Sequence, residues 1–220
     1  MDSASILKGL NPQQKKAVKH HQGPMLVLAG AGSGKTRVLT HRIAYLIEEY
    51  GVAPDQIMAV TFTNKAASEM KTRVAGLLNG LEANLAVSTF HSFCVRILRR
   101  EIKKLDYDHN FVIFDTADQK KVIKEVLKEL DLDSQKIKPR AVVSEISRAK
   151  NELLGPRDYT GESTSYFEQQ VARIYPEYQR QLKDNNALDF GDLIYKTVEL
   201  FREFSLVLEY YQDRFQYILI

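Results

Sequence analysis

Residues 25–36 read Met-Leu-Val-Leu-Ala-Gly-Ala-Gly-Ser-Gly-Lys-Thr, an apolar run that passes into a glycine-rich turn and ends in Lys-Thr. The apolar run Met25–Leu28 predicts a buried strand. After the turn, apolar side chains recur at helical spacing from Val38 to Ile47, and Gly51 is typical of a position that ends a helix. The turn and its Lys-Thr pair match the phosphate-loop pattern, with alanine at the first glycine position.

This strand, loop and helix predict a nucleotide site. Small residues allow the backbone N–H groups to curl around an anionic phosphate, and the N-terminus of the following helix adds its positive dipole end. A lysine at position 35 reaches the outer phosphates, and the hydroxyl of Thr36 binds magnesium. The alternative is a glycine-rich turn with a solvent lysine, but the flanking strand and helix favour a nucleotide. The predicted contacts are Ala29, Gly30, Ala31, Gly32, Ser33, Gly34, Lys35 and Thr36.

Two further strand and helix units follow in the first half of the chain. Ile57–Thr61 is predicted as a strand, and Asn64 as the cap of a helix that Asn79 and Gly80 stop. Leu85–Val87 is predicted as the next strand, with Ser88 and Thr89 as cap of a helix that starts at Phe90. Alternating short apolar runs and amphipathic helices are typical of an α/β fold, a parallel sheet flanked by helices.

From about Asp106 the pattern changes to helices, apart from a short apolar segment at 111–114. Thr116 and Gln119 resemble a capping box, a second helix covers about 141–154, and Pro176 predicts a kink or break in a third helix. Asp189 is predicted to cap a fourth, and Tyr217–Ile220 to form a buried, central strand. We therefore expect a nucleotide-binding domain at 1–107 and 189–220, with an inserted all-helical subdomain at 108–188.

Composition limits the class of protein. The net charge is +3 and 44% of the residues are hydrophobic, so we expect a globular, mildly basic protein on which any nucleic-acid surface is a local patch. The single cysteine, Cys94, excludes an internal disulfide framework and suits a reducing compartment, which makes the cytoplasm the default location. We find no apolar run of signal-peptide or membrane-span length and expect no membrane partner.

The sequence contains several short motifs besides the glycine-rich loop. Leu10, Asn11 and Gln14 precede that loop, which continues with Arg37, and further motifs lie at 61–67, 89–92 and 188–193. Together they resemble the UvrD, Rep and PcrA group of superfamily 1 DNA helicases, and the PcrA type most of all. The first looks like the Q motif of that group, and residues 61–67 and 89–92 are similar to two DNA-contacting motifs. Residues 188–193 resemble a further motif, although relatives often carry an acidic residue at the position of Gly191.

The resemblance implies a RecA-like motor domain that uses ATP and Mg²⁺ and works as a 3'-5' DNA helicase or translocase in repair or replication. It implies that Gln14 reads adenine, that Arg37 joins the nucleotide contacts, and that single-stranded DNA and its junctions with duplex are partners. It also implies an Asp-Glu pair and a second motor domain after Ile220, so we expect these 220 residues alone not to turn over ATP or unwind DNA. The implied DNA contacts are Phe62, Thr63, Asn64, Lys65, Thr89 and His91.

Each assignment has a simpler alternative. Gln14 could be an exposed helix residue, Phe62 a core aromatic, and His91 a satisfied core or cap residue. The basic cluster formed by Arg96, Arg99, Arg100, Lys103 and Lys104 is slightly favoured as a solvated face. For the whole chain, the alternatives are a phosphate-loop switch or kinase that does not bind DNA, and an inactive binding module.

Overall fold

A computed structural model describes residues 3–78, 85–159 and 165–220. Asn79 and Gly80, predicted as a helix stop, lie outside these ranges. The helices are α1 (Ser3–Ile6), α2 (Pro12–Lys19), α3 (Lys35–Tyr50), α4 (Asn64–Leu78), α5 (Phe90–Glu101), α6 (Thr116–Glu129), α7 (Pro139–Asn151), α8 (Tyr166–Asp184), α9 (Phe190–Glu203) and α10 (Ser205–Arg214). The strands are β1 (Ile57–Thr61), β2 (Ala86–Thr89), β3 (Val112–Phe114), β4 (Ala187–Asp189) and β5 (Tyr217–Leu219).

The chain divides into two compact units, one formed by residues up to Phe93 with Leu208–Ile220, the other by Cys94–Val207. The first contains a parallel sheet of order β2-β1-β5, in which Ala59 is the register partner of both Val87 and Leu219. Its α/β class is as predicted. Buried apolar residues of β1, α3 and α4 form one core because each helix presents an apolar face to the sheet.

The predicted strand Met25–Leu28 is wrong for this structure: the segment belongs to no strand, and Leu26 and Leu28 are 83% and 88% exposed. Strands need neighbours for their backbone N–H and C=O groups. Both sides of β1 are occupied, one by β2 and the other by β5. The apolar composition of Met25–Leu28 suits a strand. A strand also needs the edge of another strand to pair with, and composition does not show whether one is available.

The second unit combines helices with a two-stranded parallel sheet, in which Val112 pairs with Ala187 and Phe114 with Asp189. The prediction that 108–188 is all helical is therefore wrong at β3 and at the start of β4. The core of this unit is built by apolar faces of α6, α7 and α8, including Val126, Ile146 and Ile174. The division of the chain into a motor domain and an insert at 108–188 stays a prediction.

Several element boundaries differ from expectation by one residue. Thr63, not Asn64, caps α4, because its hydroxyl accepts the Ala66 backbone N–H at 3.1 Å. The cap of α6 is Asp115, whose carboxylate accepts two backbone N–H groups, and not Thr116. Sequence spacing places such caps only approximately, since Ser, Thr, Asp and Asn all serve in this role.

Two larger expectations also fail. The predicted break in the third helix does not occur, because α8 continues through Pro176. Fully buried side chains precede and follow that proline, so packing of the same apolar face on both sides offsets the lost backbone hydrogen bond. The strand β5 is an edge strand of the described sheet with Leu219 buried and Ile218 exposed, not a buried central strand.

Candidate functional site

The glycine-rich loop, residues 29–36, adopts the conformation that its glycines permit. Gly32 and Gly34 have φ angles of 73° and 86°, in the left-handed region that a β-carbon disfavours. Gly34 directly precedes α3, and its carbonyl accepts the Val38 backbone N–H at 2.9 Å. Since α3 starts at Lys35, the N–H groups of its first turn face the loop, as a phosphate-binding loop requires.

Lys35 binds the loop itself. Its ammonium donates to the carbonyl of Ala29 at 3.1 Å and to that of Gly30 at 2.7 Å. The Ser33 hydroxyl also donates to the Gly30 carbonyl, at 2.7 Å. The side chains of Thr36 and Arg37 are exposed at the start of α3. The ammonium therefore lies over the loop, within reach of a group bound there.

Gln14 lies beside the loop, as the motif spacing implied. It is the third residue of α2 and forms a reciprocal capping box with Asn11. Its amide nitrogen donates to the Ser33 carbonyl at 3.1 Å, and a β-carbon built on Gly34 would lie 2.9 Å from that nitrogen. An exposed helix glutamine with no further contact does not fit this geometry.

Phe62 follows the end of β1 and is 83% exposed. Its ring lies 5.9 Å, centroid to centroid, from that of Phe90, which follows the neighbouring strand β2. A core role does not fit this exposure, because a core aromatic is covered on all sides. Asn64 and Lys65 continue the exposed surface in the first turn of α4.

Thr89 and His91 lie at the same end of the sheet, because β1 and β2 are parallel and Thr61 is the register partner of Thr89. Thr89 is buried, and its hydroxyl accepts the Ser92 backbone N–H at 3.2 Å, which caps α5. His91 is partly buried, and burial lowers its pKa, so the ring is neutral at neutral pH. The structure thus confirms Thr89 as the cap that the sequence predicted for the helix starting at Phe90.

In the basic cluster, several side chains make internal contacts. The Arg99 guanidinium lies 3.7 Å from the centre of the Phe111 ring. Arg100 and Lys104 both bind Glu101, at 3.2 Å and 2.7 Å. These contacts suit a packed and solvated face, which was the favoured alternative.

Phe190 lies in the motif at 188–193, but the sequence assigned it no contact; in the structure it is 56% exposed at the first position of α9. Like Phe62, it follows the last residue of a strand and begins or precedes a helix. That shared placement was a usable signal, since Asp189 was already predicted as the cap.

Lys150 was also missed, and it is one of the most buried side chains in the second unit. Its ammonium binds Asp189 at 2.7 Å and Asp192 at 2.8 Å, with 1% of the side chain exposed. The Tyr178 hydroxyl donates to Asp189 at 2.9 Å. No signal marked Lys150, because apolar spacing along α7 does not distinguish a buried lysine from a solvated one.

The charged groups of this cluster shift one another's pKa. Burial alone would lower the pKa of Lys150, but the carboxylates of Asp192 and Asp189 outweigh burial and raise it. Burial and then repulsion from Asp189 raise the pKa of Asp192. Burial would raise the pKa of Asp189 as well, but Lys150 and the hydrogen bonds to its carboxylate lower it. Asp189 is therefore the firmly ionised partner of the lysine.

The match to known proteins is extensive. The sequence profile of the UvrD/REP helicase N-terminal domain covers residues 10–220, and the chain belongs to this helicase family. It is 54% identical over 216 residues to the ATP-dependent DNA helicase PcrA of Bacillus subtilis (strain 168), a stretch that is 98% of this chain. It is also 54% identical over 214 residues to PcrA of Staphylococcus aureus (strain NCTC 8325 / PS 47), and 52% identical over 214 residues to PcrA of Staphylococcus epidermidis, each 97% of this chain.

The chain spans 29% of the length of each of these relatives. None of the helices within 3–78, 85–159 and 165–220 is both long and apolar enough to cross a membrane. In the same part of the chain, no three His, Cys, Asp or Glu side chains are grouped so as to hold a metal ion.

Proposed function

We propose that this chain is the ATP-binding and single-strand-binding N-terminal part of an ATP-dependent DNA helicase. The observation that carries the proposal is the contact between Gln14 and the glycine-rich loop, in a chain 54% identical to PcrA helicases. Movement in the 3'-5' direction, a role in DNA repair or replication, a cytoplasmic location and a RecA-like motor domain are parts of this proposal that rest on the family resemblance.

In the proposed nucleotide complex, the phosphates lie in the glycine-rich loop against the N-terminus of α3. Lys35 exchanges its bonds to the Ala29 and Gly30 carbonyls for bonds to the outer phosphates. Gln14 exchanges its bond to the Ser33 carbonyl for the adenine edge. Arg37, exposed one turn into α3, adds a further positive charge near the phosphates.

Mg²⁺ fits this site through Thr36. Magnesium keeps several waters and binds nucleotides with one or two protein oxygens and the phosphates, so it needs no cage of carboxylates. The Thr36 side chain is exposed directly after Lys35 and can supply that oxygen. When bound, the ion neutralises charge on the phosphates.

The proposed DNA surface starts at the exposed Phe62 and includes Thr63, Asn64 and Lys65, with Thr89 and His91 at the neighbouring strand end. Aromatic rings stack on bases irrespective of sequence, and polar groups bind the phosphate backbone. In the other unit, Phe190 is also an exposed aromatic that directly follows a strand, and it is a separate proposed base contact. Single-stranded DNA and its junctions with duplex are the proposed partners. Because the relatives are much longer, we propose that these 220 residues bind both ligands without DNA-stimulated turnover.

Phe62→Ala should weaken binding of a fluorescent oligo-dT strand by ~1 to 3 kcal/mol, because a base loses its stacking partner. The slope of affinity against salt should stay unchanged, since no charge is lost. Anisotropy titrations at several salt concentrations measure both quantities. Tyr166→Ala is the matched control, because Tyr166 is an exposed aromatic outside the proposed surface. Equal losses for the two variants would exclude specific stacking at Phe62.

Gln14→Ala should reduce the preference for ATP over GTP by about tenfold, the equivalent of one lost hydrogen bond to the base. Competition of ATP and GTP against a fluorescent ATP analogue gives the ratio of affinities directly. Gln13→Ala is the matched control, because Gln13 is the same residue type in the same helix but exposed. If Gln14→Ala weakens both nucleotides equally, Gln14 supports the loop and does not read adenine.

A further inference from the structure

The ring of Phe190 is exposed, and hydrogen bonds hold the backbone on both sides of this residue. Asp189, the N-cap of α9, precedes it, and Asp192, the third helical residue, follows two positions later. Asp192 donates its backbone N–H to the Asp189 carboxylate at 2.8 Å, and Asp189 donates its own to the Asp192 carboxylate at 3.1 Å. Phe190 and Gly191 are therefore enclosed in a reciprocal capping box.

One ammonium from another helix binds both members of that box. Lys150, near the end of α7, contacts Asp189 at 2.7 Å and Asp192 at 2.8 Å. Two further side chains donate hydrogen bonds to these carboxylates. The Tyr178 hydroxyl donates to Asp189, and the Gln179 amide donates to Asp192 at 3.2 Å. The direction in which Phe190 leaves the helix start is thus fixed relative to α7 and α8.

The segment also lies close against the stem of Lys150. A β-carbon built on Gly191 would lie 3.2 Å from Lys150 Cδ and 3.4 Å from an Asp189 carboxylate oxygen. A methyl group at 191 would push the lysine stem away by a few tenths of an ångström. Glycine at this position therefore permits the close approach of the lysine to the capping box.

Stability alone is a weak reason for such a cluster. Removing three charged or ionisable groups from water costs free energy that their attraction only partly returns, and apolar residues of similar volume often serve equally well. In some proteins a buried ion cluster specifies one geometry instead. Here that geometry is the backbone of Phe190 and Gly191, which lie between Asp189 and Asp192.

We infer that Lys150 is a positioning residue for DNA binding, acting through Asp189 and Asp192 to orient the exposed ring of Phe190. This inference rests on the proposed function, in which Phe190 contacts single-stranded DNA. Lys150 itself is buried and does not touch the strand. Its contribution to DNA affinity therefore exists only while the aromatic ring is present at position 190.

A double-mutant cycle on the 220-residue chain tests this dependence. Phe190→Ala should weaken oligo-dT binding roughly tenfold. Lys150→Met keeps the length of the side chain but removes its charge, and should weaken binding several-fold. The double variant should bind no more weakly than Phe190→Ala alone, because the ring that Lys150 orients is gone. Combining Lys150→Met with Phe62→Ala is the control, and these two effects should multiply because Phe62 lies in the other unit.

A purely structural lysine would give a different result. If the effects of Lys150→Met and Phe190→Ala multiply, or if Lys150→Met leaves DNA affinity unchanged, the inference is wrong while the proposed function stands. If Phe190→Ala has no effect, the inference is wrong and only the Phe62 surface remains. If Phe62→Ala has none either, the proposed DNA surface fails with it.

A second variant covers the case in which Lys150→Met does not fold. Gly191→Ala keeps all three charges but places a methyl group against the lysine stem, and alanine is favourable near the start of a helix. It should weaken oligo-dT binding in the presence of Phe190 and have no further effect in a Phe190→Ala background. Equal effects in both backgrounds would overturn the inference.

Discussion

Lys150→Ala should lower the free energy of unfolding of the Cys94–Val207 unit by about 3 to 5 kcal/mol, the largest effect on stability that we expect of one substitution. The variant leaves Asp189 and Asp192 buried without their cation, and the lost burial of the lysine stem adds a cavity. Urea denaturation followed by circular dichroism measures the change. Lys124→Ala, an exposed lysine in α6, is the matched control and should stay within about 0.5 kcal/mol of the wild type.

The pH dependence of this decrease in the free energy of unfolding shows whether it comes from the unpaired carboxylates or from the lost packing of the lysine stem. Without Lys150, burial and mutual repulsion raise the pKa of both carboxyl groups above their unfolded value of about 4. Groups with a raised folded pKa bind protons more tightly in the folded state, so the loss is greatest above that pKa and shrinks as the pH falls. A loss of equal size at pH 5 and pH 8 would mean that the cavity, not the charge, accounts for it.

The sequence predicts elements well where local signals agree. The helix that ends before Gly51 is confirmed, because helical spacing and a terminal glycine mark it. The strand Ile57–Thr61 is confirmed with both its bounds, because a short apolar run marks it. Gln14 lies beside the glycine-rich loop, where its resemblance to the Q motif requires it. The capping box with Asn11 holds it at the start of α2.

The failures share a different cause. Met25–Leu28 has the composition of a strand, yet strand formation depends on which edges are paired elsewhere in the chain, and local composition does not contain that information. Pro176 breaks isolated helices, but the apolar face of α8 is buried on both sides of it. In both cases tertiary structure overrides the local preference. Met25–Leu28 forms no strand despite its composition, and α8 stays helical through Pro176.

The candidate site also contains residues that local sequence identifies and residues that only tertiary packing brings together. Loop residues and Phe62 could be predicted because their chemistry is carried by short contiguous motifs. The cluster of Lys150 with Asp189 and Asp192 could not, since its members are 39 and 42 positions apart and meet only through packing of α7 against the start of α9. Phe190 lies between these extremes. Its place after a strand can be predicted from the sequence. Its orientation depends on Lys150, whose burial beside Asp189 and Asp192 cannot be predicted in this way.

Lys35→Ala should weaken binding of Mg-ATP about 100-fold, or about 3 kcal/mol, because the outer phosphates lose their only predicted ammonium partner. Folding should change little, since Lys35 is exposed and its two bonds to loop carbonyls can be replaced by water. Binding of oligo-dT in the absence of nucleotide should be unaffected, because the proposed DNA contacts do not include this side chain.

Titration of a fluorescent ATP analogue with Mg²⁺ measures the loss, and Lys71→Ala, an exposed lysine on α4, controls for removal of a positive charge as such. The comparison is sharp because both variants change the net charge by the same amount and only Lys35 lies over the glycine-rich loop. A loss for Lys35→Ala that disappears when AMP replaces ATP would place the ammonium at the outer phosphates. Equal affinities for the wild type and Lys35→Ala would remove the nucleotide assignment of the loop, and with it the ATP-dependent part of the proposed function.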